Sequence, residues 1–237
     1  MILLLLAVAF GQSPCRESAA SIATATERVA VLDLQGATMR LAGDLTCVET
    51  AVAYWYLHGL IAAREAYRYG GSPESLEPVK LAIAQLASRT ALSTSAEIAR
   101  VVLLAASAAA QSERAEMGLF LEHALNLEQQ QRSAGLPGAP LVTAHEVAGD
   151  LWLQVHRFED ARDAYMTAAE QIGPTRRVTL GLARTAVRLG DVPASCERYR
   201  ALAAGWPQSE REPPELTEAR TFLRRSECAR AVRRPPR

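Results

Sequence analysis

Aromatic residues are scarce in this chain, at 5% of 237 positions, and lysine occurs once, as Lys80. Apolar residues nonetheless reach 49%, much of it alanine. Small apolar side chains in periodic runs suit helices that approach closely rather than a sandwich or barrel, so the expected class is all-α. Net charge is lacking too, since 26 basic residues balance 26 acidic ones. No global field draws such a chain to nucleic acid or to a membrane surface. Arg220, Arg224, Arg225, Arg230, Arg233, Arg234 and Arg237 crowd the C-terminal end. Without interleaved aromatics they read as a solvated helix and tail.

The unbroken apolar run Met1–Phe10 is far short of the roughly 20 residues that span a bilayer, so no transmembrane segment is expected. It has the length of a signal-peptide core, and Ala9 and Gly11 supply the small residues a signal peptidase reads. No Lys or Arg precedes it, so either the start lies upstream of Met1 or the signal is a weak one. Residues 1–11 are read as a signal peptide, and the protein as periplasmic or secreted. The alternative is a buried N-terminal helix in a cytoplasmic protein. Pro14 before Cys15 does not resemble a lipoprotein cleavage box.

Motifs of chemistry are missing as well. There is no CxxC, CxxCH or Cys/His cluster, so haem attachment and structural zinc are unsupported. His145-Glu146 starts a zincin-like string, but Gly149 stands where the second histidine belongs. His123 has no second ligand at helical spacing, His156 has Asp160 four residues on and reads with it as a helix-surface pair, His58 reads as a packed or surface histidine, and neither a phosphate loop nor a G-x-S-x-G elbow occurs. No catalytic residue, metal ligand or cofactor is expected. Cys15, Cys47, Cys196 and Cys228 form two pairs with equal separations of 32. In an oxidising compartment Cys15–Cys47 and Cys196–Cys228 are the local pairings, each worth roughly 2–4 kcal/mol. In a reduced cytoplasm all four are buried free thiols.

Residues 12–27, rich in serine and threonine, are expected to form a polar tether. Glu27–Leu41 reads as one helix through Val31, Leu34, Thr38 and Leu41, in preference to a strand that has no partner downstream. Asp44 or Thr46 is a candidate cap for a long amphipathic helix over Thr50–Tyr69 that ends at Gly70-Gly71. Ser72-Pro73 is a helix start, followed by an alanine-rich helix over Ile98–Ala110 and another opened by Ser112. Residues 133–140 read as a loop insertion. Pro214 opens a last helix after a linker beginning at 208.

One pattern occurs twice between Val142 and Pro207. Phe158, Ala161, Tyr165 and Ala168 recur as Val192, Ser195, Tyr199 and Leu202 at a constant offset of 34, the period of the tetratricopeptide repeat. Over this stretch the sequence resembles that family. Gly149 and Ala183 match the small residue of its first helix, and Trp152 the aromatic that follows. Ala161 and Ser195 match the small residue of the second helix, Tyr165 and Tyr199 its aromatic, and Ala168 its closing alanine. Ala186 and Leu202 depart from the pattern. Residues 208–237 look similar to the ends of bacterial tetratricopeptide proteins without assigned activity. The resemblance implies an all-α solenoid of about four helical hairpins: irregular ones over 28–132, two well-matched units over 141–207, and a capping helix with a basic tail.

A non-enzymatic scaffold or adaptor that binds a protein or peptide partner is the implied function, within an envelope-associated assembly. The alternatives are a cytoplasmic adaptor, or an enzyme or small-ligand-binding protein with a pocket in the N-terminal half. By the family's pattern the groove holds Glu146, Asp150, Leu153 and Gln154 in one unit. In the next it holds Arg177, Leu180, Arg184, Val187 and Arg188. Arg177, Arg184 and Arg188 share one helical face. They form either a stripe for an acidic peptide or a seam paired with Glu146 and Asp150, and the residues favour the seam.

Overall fold

The computed structural model describes residues 15–43, 45–136, 138–206, 213–225 and 228. The expected signal peptide, the cap Asp44, most of the 208–214 linker and the tail beyond 228 lie outside these. The described residues form eleven helices and no strand. None of these helices is long and apolar enough to cross a membrane.

One turn device organises the chain. At five helix-to-helix turns a residue in the left-handed region ends one helix: Leu32, Gly70, Ser112, His156 and Gly190. The next N–H then bonds back to the carbonyl five residues earlier: Asp33 to Arg28, Gly71 to Ala66, Glu113 to Ala108, Arg157 to Trp152 and Asp191 to Ala186. This satisfies a carbonyl the helix end leaves free and reverses the chain within a few residues. Short reversals make antiparallel neighbours. The outcome is five hairpins: α1 (Arg16–Ala30) with α2 (Leu34–Leu41), α3 (Val48–Arg68) with α4 (Pro73–Ala87), α5 (Thr94–Ala110) with α6 (Arg114–Ser133), α7 (Ala144–Gln154) with α8 (Phe158–Ile172), and α9 (Arg176–Leu189) with α10 (Val192–Ala204). A single helix, α11 (Pro214–Leu223), follows against α10.

The first helices of successive hairpins, α3, α5, α7 and α9, pack on one another in a row, and the second helices flank them. Alanine makes this possible: in α5 alone Ala96, Ala99, Ala105, Ala106, Ala108, Ala109 and Ala110 are buried. The caps follow ordinary chemistry. Ser72 accepts from the Ser75 N–H, Thr175 from Val178 and Asp191 from Ala194, while Thr143 and Glu146 form a reciprocal capping box.

Two expectations need correction. The stretch expected to be a polar tether is helical from Arg16, because Ile22, Ala25 and Val29 form a stripe that packs into the main core. The Thr24 and Thr26 hydroxyls donate to carbonyls four residues back, so the polar side chains are accommodated on the helix. The single helix expected over 27–41 is broken at Leu32, which makes α1–α2 a hairpin of its own and raises the count from four to five. Cys15 is bonded to Cys47 at the start of α3, and Cys196 in α10 to Cys228 beyond α11.

Candidate functional site

The expected groove residues lie on α7 and α9, and the fold brings three of them together: Glu146, Asp150 and Arg177. Arg177, in the first turn of α9, reaches across to α7, where its Nη2 donates to Asp150 Oδ2 and its Nε faces Glu146 Oε1 at 4.0 Å. Asp150 Oδ1 accepts from the Tyr165 hydroxyl on α8. Glu146 is buried, the Arg177 side chain is 15% exposed and that of Asp150 43%, so the cluster opens to solvent at one end. Arg184 turns the other way. Its Nε and Nη2 donate to both oxygens of Glu218 on α11 at 3.0 and 2.6 Å, and Tyr199 donates to the same carboxylate at 2.6 Å. Gln154 and Leu153 are half-buried, while Val187 and Arg188 are exposed. Arg188 has no partner among the described residues.

The electrostatics follow from burial. Burial pushes the Glu146 carboxyl up, and Arg177 and Thr143 only partly offset it. Arg177 also loses solvation, but Asp150 and Glu146 more than compensate and hold it charged. Burial opposes the charge on Glu218, yet the Arg184 and Tyr199 hydrogen bonds outweigh it and hold the carboxyl below its ordinary range. The arginines are thus engaged with the protein's own acids, Arg177 with α7 and Arg184 with α11. A carboxylate ligand would have to displace those pairs.

Ala161, Tyr165, Ala168, Ala183 and Ser195 are fully buried, and Tyr199 nearly so. The Tyr165 ring sits in a notch made by Gly149 and Gly181, and a Cβ there would come within 2.6 and 2.3 Å of ring atoms. Trp152 is half-buried beneath the Arg157 guanidinium, 5.3 Å from the ring centroid.

Sequence reasoning missed four participants. Tyr56 on α3 donates to the Val142 carbonyl at 3.0 Å and Tyr67 to the Gln154 carbonyl at 3.1 Å, bridging α3 to both ends of α7. Glu128, 1% exposed on α6, accepts from the N–H groups of Ala139 and Ala144 at 3.1 Å and lies 3.5 Å from His145 Nδ1. No local pattern marks these three. Glu218 did leave a signal: Asp150, Arg184 and Glu218 follow one another at the same offset of 34.

Among the described residues no three His, Cys, Asp or Glu side chains converge in a way that would hold a metal ion. Comparison of the chain with protein-family models, with curated proteins and with solved structures gives no match.

Proposed function

We propose that the chain is a non-enzymatic helical scaffold of the tetratricopeptide type, holding a protein or peptide partner in an oxidising compartment. The carrying observation is that equivalent positions play equivalent parts at the 34-residue offset. His156 and Gly190 both turn the chain in the left-handed region, Tyr165 and Tyr199 both give their hydroxyl to an inner-helix carboxylate, and Asp150, Arg184 and Glu218 form a charged ladder along the inner helices. Such stacking leaves an inner surface for a ligand. With Arg177 and Arg184 engaged, the accessible part runs through Asp150, Leu153, Gln154, Val187 and Arg188. The two disulfides support export to the periplasm or beyond, within an envelope-associated assembly.

A photo-crosslinking amino acid placed at 188, and separately at Leu81 on outer helix α4, tests the binding surface in the native cell. Adducts confined to the inner position support the reading; adducts only at 81 reassign the surface. Fusion to an export-dependent reporter tests the compartment, and an inactive fusion removes the envelope assignment.

A further inference from the structure

The α1–α2 turn reaches the far end of the chain. α1 packs along α2 and α3, yet its last carbonyl, that of Ala30, accepts from Arg176 Nη1 at 3.1 Å in the first turn of α9. The same guanidinium donates through Nε and Nη2 to the Gly205 carbonyl at 3.2 and 2.8 Å, past the end of α10. It also lies over the Trp206 ring, 5.7 Å from the centroid. Beside it Leu32 is half-buried and packs against the cluster that contains Leu180, Leu202 and Trp206. One apolar side chain and one free carbonyl are thus received by an apolar seat with a single arginine at its rim.

The turn is a self-contained knob. Arg28 and Asp33 close it with a 2.7 Å ion pair, Asp33 caps α2 by accepting from the Gly36 N–H, and the Asp33 N–H returns to the Arg28 carbonyl. None of those bonds involves α9. A depression of about 280 Å³ remains open next to the contact, lined by Pro174, Thr179, Ala201, Leu202 and Gly205 with Thr175 and Arg176. This depression shares Arg176, Leu202 and Gly205 with the contact and continues the edge beyond it.

We propose that this edge of α9 and α10 is a docking surface, filled in this structure by the chain's own α1–α2 turn. Its partner is the turn of another helical hairpin, one that presents a leucine-like side chain and a helix-terminal carbonyl. The closing ion pair leaves the knob without net charge, so the fitting partner segment is apolar rather than acidic. The Cys15–Cys47 link ties the start of α1 to the start of α3 and so keeps the turn at high effective concentration over the seat. This inference rests on the reading of the chain as a scaffold for a protein partner and identifies the kind of segment held.

The test uses the full chain and a labelled synthetic peptide of residues 27–36. Leu32→Gly suits the left-handed backbone while removing the occupying side chain, so the fold should survive. Expected results are at least tenfold tighter peptide binding by Leu32→Gly than by the parent, and faster amide exchange over 176–183 and 201–206 that the peptide reverses. Adding Arg176→Gln should abolish the gain. Cys15→Ala/Cys47→Ala should raise exchange over the same segments. Equal peptide affinity in parent and Leu32→Gly overturns the proposal, as does unchanged exchange on α9. Faster exchange without peptide binding makes the turn structural only and overturns it as well. The probe is the chain's own segment, so these failures leave the scaffold reading standing, whereas absent cellular adducts at 188 would count against that reading alone.

Discussion

Gly149 and Gly181 stand on neighbouring helices without a side chain because the Tyr165 ring fills the space each would need. Gly181→Ala drives a methyl into that ring, which is itself fully buried and bonded to Asp150. It should cost about 1–3 kcal/mol, the usual range for overpacking. Gly118→Ala on α6 is the control, since its methyl meets Trp152 at an ordinary 3.6 Å. Helix propensity then favours alanine by up to about 1 kcal/mol. Urea denaturation of the two variants should move the midpoint in opposite directions. A common direction would remove the notch argument.

Between elements, the docking of α11 depends on the Arg184–Glu218 pair, the Tyr199 hydroxyl and the Cys196–Cys228 link. Tyr199 also lies against Phe222, with ring centroids 4.8 Å apart. The two charged side chains are 36% and 35% exposed, so solvent screens the pair. A double-mutant cycle of Arg184→Ala and Glu218→Ala should give a coupling of about 1 kcal/mol. A coupling indistinguishable from zero would mean that α11 is held by its apolar face and the disulfide alone. Breaking that disulfide with Cys196→Ala/Cys228→Ala should cost about 3–4 kcal/mol in the chain-entropy account, and hydrogen exchange should show the loss concentrated in α11.

Across the whole molecule, acid stability divides between two buried carboxyls of opposite sign. Burial is the largest influence on Glu128 and pushes it up, but His145 and the N–H groups of Ala144 and Ala139 together hold it below the ordinary range. A depressed carboxyl contributes stability above its unfolded value, about pH 4.3, and that contribution is lost as pH falls through the folded value. Glu128→Gln should therefore cost about 1–3 kcal/mol at pH 7, with the difference from the parent shrinking as pH falls below 4. Glu146 is raised, so its contribution is present at low pH and lost as pH rises through the folded value. Glutamine mimics the protonated carboxyl, so Glu146→Gln should lie close to the parent at pH 4 and gain stability relative to it as pH rises toward 7, opposite in sign to Glu128→Gln. Denaturation curves at several pH values decide both, and parallel profiles would refute the division.

Helix content, the Ser72 start and the doubled unit over 142–207 were legible from residue types and spacing, because caps and periodicity are local. The earlier hairpins were less so. Their left-handed turn residues stand 38, 42, 44 and 34 positions apart, with Leu, Ser and His at three of the turns instead of glycine, so neither period nor turn composition announces them. Opposite charge on the two groove helices, acidic Glu146 and Asp150 beside basic Arg184 and Arg188, is visible in the sequence and favours a paired seam. Partner choice is not: Arg177 goes to Asp150 and Arg184 to Glu218 because helix packing sets which carboxylate each guanidinium meets. What the sequence by itself determined is an all-α chain, with those helix boundaries that a cap or a glycine announces locally. Only the tertiary structure decided that the arginines are engaged, that Glu128 is buried, and that the α1–α2 turn lies on α9. Those depend on contacts between residues far apart in the chain, which local patterning does not encode.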